Sequence, residues 1–331
     1  METKKLLEAI KSGDQYILTT HKNCDPDGIG AELGMSFLLA HLGKKHSILN
    51  PDPTPERYQF LDPHYRINHI VEGGMRENRQ SQVLILDNSD LSRIGEVSQF
   101  IADDKKNVIV VDHHDNVENK QGIAKFFIFP DYSSTSEIVY ELLQLEDLEP
   151  DYTTATALYM GIVMDTGQFK YRKTSPRTHR AAADLLQYKL PIETLSRKLF
   201  EDYPLEVLYL KRDILSTIEV HDSIAMIFIT RKMLESYSFT RNPVEGLINE
   251  LLGPRDIQIA VSFSEAKDGR IKLSFRSKGD FDVCRIAKEF SGGGHKNAAG
   301  GIVSATMLEA KKRVLANLKS SLEIQERHYA V

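Results

Sequence analysis

Eight side chains in four short stretches offer this chain its chemistry: His21, Asp25 and Asp27 in "THKNCDPDGIG", Asp87 in "VLILDNSD", Asp112, His113 and His114 in "VIVVDHH", and Asp165 in "YMGIVMDTGQF". Carboxylates and imidazoles without a thiolate suit Mn²⁺, with Mg²⁺, Co²⁺ or Fe²⁺ as competitors, and speak against a structural zinc site. His21, Asp25, Asp27, Asp87, His113 and Asp165 together bring four carboxylates, which two divalent cations neutralise. A single cation would leave two of those charges uncompensated. Paired ions ~3.5–4 Å apart suit phosphoester hydrolysis, because they acidify a water and hold the phosphate oxygens in line.

Each residue also has a plainer account. Asp25 and Asp27 stand before a helical pattern, where Asp is a common cap. Asp87 and Asp112 end apolar runs, where acids often open turns, and Asp165 could cap the turn at Thr166 and Gly167. What separates the two accounts is position. Three β-type runs deliver acids or imidazoles at their carboxyl ends, and parallel neighbours would converge those groups on one edge, where open α/β sheets build their sites. A carboxylate ending the apolar run of Met160, Ile162, Val163 and Met164 also carries a desolvation cost unless a cation meets it.

The elements that must do this positioning are legible as an alternation. The runs "YILTT", "KHSIL", "VLILD", "VIVVD" and "FFIF" alternate with amphipathic stretches such as "GAELGMSFLLAHLG" and "LSRIGEVSQFIADD", predicting an α/β fold with a parallel sheet and flanking helices over residues 1–190. Residues 191–218 read as a helical linker, broken or kinked at Pro204. Residues 219–331 read as a smaller mixed α+β domain with strands "AMIFIT", "IQIAVSFSE", "RIKLSFRSKG" and "GGIVSA", a hairpin turn at "KDGR" and a closing helix.

At 331 residues with a net charge of -5, the chain has room for two cores but no bulk positive field for long duplex nucleic acid. Two cysteines cannot build a disulfide framework, which predicts a reducing cytoplasm. No apolar run approaches the ~20 residues needed to cross a bilayer.

The spacing His-x-x-x-Asp-x-Asp at 21–27, the strand-end Asp87, Asp-His-His at 112–114, Asp165 and the distal "GGGHKNAAG" at 292–300 together resemble the DHH phosphoesterases with a DHH-associated C-terminal domain. The resemblance spans about residues 15–305 and is greatest to the compact nanoRNase branch, whose members degrade very short RNA and remove the 3′-phosphate of 3′-phosphoadenosine 5′-phosphate (pAp). It implies that His21, Asp25 and Asp87 hold one ion, that Asp27, Asp87, His113 and Asp165 hold the other, and that Asp87 bridges. It places Asp112 behind the ligands and His114 near enough to touch a phosphate or position water. In the second domain it makes Arg276, Ser277, Gly293, Gly294 and His295 substrate contacts, with Lys278 as a helper, and gives His114, Arg276 and His295 catalytic roles. Short RNA or small nucleotides are the implied partners, and a homodimer is expected from the resemblance alone.

Departures and alternatives bound that expectation. Cys24 stands where many relatives have Pro, and "DGIGA" replaces a more usual Asp-Ala-x-Gly-Ser. Cys24 reads as a small loop residue, since two-metal hydrolysis needs no covalent step. Ser134 and Thr135 fall at a helix start near the implied site. Phe169 and Tyr171 are candidates to stack on a base, although aromatics in such loops more often pack. A cyclic-di-AMP or pApA phosphodiesterase shares these motifs. The triple glycine with His295 argues against a family II pyrophosphatase, and the chain length argues against a RecJ-type exonuclease. A non-catalytic nucleotide-binding module is the reading of a different class.

Overall fold

The computed structural model describes residues 2–329 except 71–80, 103, 116, 118, 120, 121, 124, 240–242 and 245, and for 295 and 323–329 the backbone only. The chain divides into two compact units, Met1–Asp202 and Tyr203–Val331.

The first unit runs α1 (Glu2–Lys11), β1 (Gln15–Thr19), α2 (Pro26–His41), β2 (Lys45–Asn50), β3 (Ile67–His69), β4 (Gln82–Leu86), β5 (Val108–Asp112), β6 (Lys125–Ile128), α3 (Thr135–Leu145), α4 (Tyr152–Asp165), α5 (Pro176–Leu186) and α6 (Ile192–Phe200). Its six strands form one sheet in the order β3-β2-β1-β4-β5-β6, every neighbouring pair parallel. Strand order reverses between β1 and β4. The crevice outside their carboxyl ends is the switch point at which doubly wound sheets bind ligands.

Strand β5, "VIVVD", is buried at every position, as expected of a strand covered on both faces. Leu18, Leu84, Leu86, Ile109 and Val111 face the core shared with the helices, while Ile17, Val83, Ile85, Val108 and Val110 face a smaller core on the other side. That other side departs from the sequence expectation. "LSRIGEVSQF" forms 3-10 turns over Leu91–Phe100 instead of an α-helix, because Gly95 (φ 54°, ψ -134°) interrupts it. Ile94, Val97 and Phe100 still reach the sheet.

Helix α2 is buried nearly all round, sandwiched among neighbours that approach unusually closely. A Cβ on Gly30 would stand 2.5 Å from the Ala157 carbonyl oxygen of α4, and one on Gly161 would stand 2.2 Å from Ser136 Oγ of α3. Two missing side chains therefore let α2 and α4 meet backbone to backbone with the Ser136 side chain of α3 between them, drawing together the amino ends of α2 and α3 and the carboxyl end of α4.

In the second unit, α7 (Leu205–Leu215) leads into β7 (Glu219–His221), β8 (Ile224–Ile229), α8 (Arg231–Ser236), α9 (Leu247–Glu250), β9 (Ile259–Glu265), β10 (Ile271–Ser277), α10 (Val283–Lys288), β11 (Gly293–His295), β12 (Ala298–Val303) and α11 (Met307–Tyr329). Its sheet, β11-β12-β10-β9-β8-β7, is mixed: β8 and β9 run parallel and the other pairs antiparallel. Gly269, at φ 79°, turns the β9–β10 hairpin within "KDGR". Residues 191–218 hold two helices: α6 packs Leu195 and Leu199 into the first unit's core, and α7, capped at Pro204, packs Val207, Leu210 and Ile214 into the second's. Among the described residues, no helix is long and apolar enough to cross a membrane.

Candidate functional site

Register places the candidate side chains. Thr19 of β1 sits opposite Ile85 of β4, and Leu86 opposite Val111 of β5, so the three strands end nearly level. At or just beyond their ends lie His21, Asp87, Asp112 and His113, all buried. Asp87 adopts φ 55°, a left-handed conformation that Asp tolerates better than most residues, while its N–H still donates to the Val111 carbonyl at 3.0 Å.

The helices supply the rest. Asp25 caps α2, its Oδ1 accepting from the N–H groups of Asp27 (2.9 Å) and Gly28 (3.2 Å). Asp27 reaches across to α3, where Oδ2 accepts from Thr135 N–H (2.7 Å) and Oδ1 from Ser136 N–H (2.8 Å). Ser134 is the N-cap residue of α3, and Thr135 Oγ1 lies 3.3 Å from Asp87 Oδ1. Asp165 is the last residue of α4. Capping and convergence are therefore both true of Asp25 and Asp27.

Three groups of candidate ligand atoms result, each within 4.8 Å of one another: His21, Asp25 and Asp87; Asp27, His113 and Asp165; and Asp87, Asp112, His113 and His114. Asp87 joins them, with Oδ2 3.6 Å from His21 Nε2 and Oδ1 3.5 Å from His113 Nε2. His113 Nε2 also lies 2.9 Å from Asp165 Oδ2 and 3.8 Å from Asp27 Oδ2. Among the described residues neither ring nitrogen of this buried imidazole makes an aligned hydrogen bond. A buried nitrogen ringed by three carboxylates and bonded to none fits a cation ligand.

The charges agree. Burial pushes Asp25 up to about 6, with Asp87 and Asp165 adding repulsion, and the same causes hold Asp27 well above the carboxylate range. For Asp87 burial is outweighed by the His113 and His21 imidazoles, and its carboxyl is lowered. Burial would lower His113 and His21, but Asp165 and Asp87 beside the one and Asp87 beside the other raise both. Divalent cations would satisfy all of these groups at once. Asp112 stands behind, its Oδ1 accepting from His113 N–H (2.8 Å), His114 N–H (3.2 Å) and His114 Nδ1 (2.6 Å). Cys24 is buried, and burial followed by the Glu32 charge pushes its thiol up, which makes it a poor nucleophile.

In the second unit the glycine run is a strand, not a loop. Gly293, Gly294 and His295 form β11 and pair with Gly300, Ala299 and Ala298 of β12, while Arg276 of β10 pairs with Ala298 from the other side. Arg276 and His295 thus stand level, one strand apart; the His295 side chain lies outside the described residues. A Cβ on Gly294, at φ 139°, would stand 2.6 Å from the Ala298 carbonyl oxygen, whereas one on Gly293 would meet nothing within 4 Å. Ser277 is buried, its hydroxyl donating to the Phe281 carbonyl (2.7 Å) and accepting from Asn297 Nδ2 (3.0 Å), so that hydroxyl closes a turn. Lys278 Nζ donates to the Pro254 carbonyl at 2.8 Å.

Family models match both units: "DHH family, N-terminal domain" over residues 15–162, and "DHHA1 domain" over residues 225–323. The chain thus carries a DHH domain followed by a DHHA1 domain. It is 29% identical over 324 residues to the "Bifunctional oligoribonuclease and PAP phosphatase NrnA" of Bacillus subtilis, covering 96% of this chain and 97% of that one. It is 27% identical to the "Cyclic-di-AMP phosphodiesterase PdeA" of Listeria monocytogenes over 95% of this chain but 49% of that one. A crystal structure of an exopolyphosphatase-related protein from Bacteroides fragilis superposes with a TM-score of 0.85 at 25% identity, covering 100% of this chain and 98% of that chain.

Two features of this site were not anticipated from the sequence. Lys173, beyond α4, donates from Nζ to the His113 carbonyl at 2.6 Å and pairs with Asp115 Oδ1 at 3.2 Å. Glu32 of α2 is fully buried; its Oε2 accepts from Asn50 Nδ2 (3.0 Å), whose Oδ1 accepts from Thr20 N–H (3.2 Å) next to His21. An acid inside an apolar helix was the visible half of that pairing, but nothing local pointed to Asn50.

Proposed function

We propose that the chain is a Mn²⁺-dependent phosphohydrolase of short nucleotides, acting as an exoribonuclease on nanoRNA and as a 3′-phosphatase on pAp. The observation that carries this reading is the Asp87 carboxylate, whose two oxygens face separate imidazoles in separate ligand groups. The name of the Bacillus subtilis relative, matched along nearly its whole length, supports the substrate class.

In this reading His21, Asp25 and Asp87 hold one ion and Asp27, Asp87, His113 and Asp165 the other. Bound as a pair, the ions supply an acidified water and a clamp on the phosphate oxygens. The chain's own side chains do the rest. Asp112 accepts a hydrogen bond from His114 Nδ1–H at 2.6 Å, and its charge, outweighing burial, favours the imidazolium, whose Nε2–H on this partly exposed ring can pass a proton to a leaving oxygen or donate to a phosphate. Lys173 holds the His113 backbone and so the aim of its ring. In the second unit Arg276 and His295, level on its sheet, are phosphate contacts in this reading, and the open space at Gly293 would admit phosphate oxygens to the backbone. Short substrates agree with a net charge of -5, and free Cys24 and Cys284 agree with a reducing cytoplasm.

A second reading, cyclic-di-AMP or pApA phosphodiesterase, is favoured by the name of the Listeria relative. Incubation with Mn²⁺ and, in parallel, pApA, pAp and cyclic di-AMP separates the two. AMP release from pApA and pAp with cyclic di-AMP intact is the expected result. Cyclic di-AMP as the fastest substrate would select the second reading, and no turnover with any divalent metal would leave a binding module.

A further inference from the structure

The loop joining α4 to α5 contributes no candidate ligand, yet it is held more firmly than a connection requires. Gly167, Gln168 and Phe169 are successively left-handed, at φ 54°, 60° and 63°. For the two non-glycine residues this is a sparsely populated conformation that persists only where surroundings impose it. Thr166, fully buried, does so: its carbonyl accepts from the N–H groups of Lys170 and Tyr171, both at 2.9 Å, and its Oγ1 accepts from Phe169 N–H at 3.0 Å while donating to the Ile162 carbonyl at 2.7 Å. Farther along, Lys173 ties the loop to the His113 carbonyl at 2.6 Å. The loop is thus fixed at one end to Asp165 and at the other to His113.

On this frame the two aromatics separate. Phe169 is partly buried and stacks on His179, with ring centroids 5.1 Å apart. Tyr171 is 56% exposed. Its ring lies against the backbone of Gly167, where a Cβ would come within 2.4 Å of Cζ and 2.6 and 2.7 Å of the two Cε atoms. A large, solvent-facing ring packed against Gly167 is thus carried six residues beyond the candidate ligand Asp165. Leaving such a ring in water forgoes its burial, but it presents a π-face on which any nucleobase can stack while the hydroxyl stays wet.

We propose that Tyr171 is a specificity-determining residue: a platform on which a base of the substrate stacks, so that the site selects nucleotides over other phosphoesters. This rests on the phosphohydrolase reading above. The test measures kcat and KM with Mn²⁺ for wild type, Tyr171→Ala and Tyr171→Phe, on pApA and on an abasic analogue with both bases replaced by hydrogen. Tyr171→Ala should raise KM for pApA roughly 5- to 50-fold with little change in kcat, Tyr171→Phe should restore the wild-type value, and the abasic analogue should be indifferent to either change. An unchanged KM in Tyr171→Ala, an equal loss on the abasic analogue, or a Tyr171→Phe as impaired as Tyr171→Ala would each overturn the platform. Wild type that binds pApA without hydrolysing it would refute the enzyme reading and leave Kd as the readout for Tyr171. Wild type that neither binds nor hydrolyses pApA would refute both.

Discussion

Oδ1 and Oδ2 of Asp87 address His113 and His21 at 3.5 and 3.6 Å, so one carboxylate stands between two ligand groups. Asp87→Ala should lower kcat by more than ~10³-fold, beyond the cost of losing a single stabilising donor. It should also bind fewer than two ions per chain while retaining a cooperative melt. Folded Asp87→Ala with two ions and a wild-type rate would sink the bridging assignment.

Metal uptake should expel protons. In the metal-free chain His21 and His113 stay protonated above the ordinary imidazole range, burial being outweighed by the carboxylates beside them, and Asp25 keeps its proton up to about 6. Each must be deprotonated to ligate. Calorimetric titration of Mn²⁺ at pH 6 should therefore give heats that scale with the buffer's ionisation enthalpy, and equal heats in all buffers would contradict the assignment. A hundredfold excess of free Mn²⁺ over Kd should stabilise the fold by about 2.7 kcal/mol for each ion bound.

Glu32 makes a stability prediction with a definite sign. Burial, opposed by the Asn50 hydrogen bond, pushes its carboxyl from an ordinary 4.5 to about 8. The unfolded chain ionises it near the lower value and the folded chain near the upper, so its contribution is whole below the first and drains away as pH rises through the second. Relative to Glu32→Gln, metal-free wild type should lose up to about 1.4 kcal/mol per pH unit in that window. Denaturant midpoints in chelator at pH 5, 7 and 9 measure it, and parallel curves for the two proteins would rule the buried neutral acid out.

Neighbouring glycines should behave oppositely. Gly294→Ala places a Cβ 2.6 Å from the Ala298 carbonyl at a left-handed φ, and should lower Tm of the second unit. Gly293→Ala meets open space and should leave Tm unchanged while raising KM for pApA, if the backbone there receives a phosphate. Kinetic silence at Gly293 would reduce the run to hairpin geometry.

The site was legible where chemistry interrupts periodicity: Asp87 and Asp112 end runs otherwise entirely apolar, and Asp165 does the same for a helix. The sheet class followed from the same runs. Less legible was whatever depends on partners distant in sequence. The acids of α2 read as caps for their own helix, yet Asp27 accepts from Thr135 and Ser136 of another. Strand β11 gave no periodic signal, because Gly293 and Gly294 carry no side chains to alternate, and it exists only through pairing with β12. Ser277 is expected at the substrate, and no local signal shows that its hydroxyl also bonds Phe281 and Asn297 to close a turn. The amphipathic stretch at 91–100 covers the sheet through Ile94, Val97 and Phe100, although a left-handed Gly95 replaces the expected helix with tighter turns.

Asp27 begins α3 from outside it, and that gives the residue two independent reasons to persist under mutational drift. Each of its hydrogen bonds to the Thr135 and Ser136 amides is worth roughly 0.5–1.5 kcal/mol with the carboxyl neutral, and more when a cation holds it charged. A descendant that lost its metals and its catalysis would be released at Asp165, whose carboxylate holds no helix start, yet would still be held to an acid at 27. The last trace of the ancestral chemistry in such a lineage would be a residue kept for architecture.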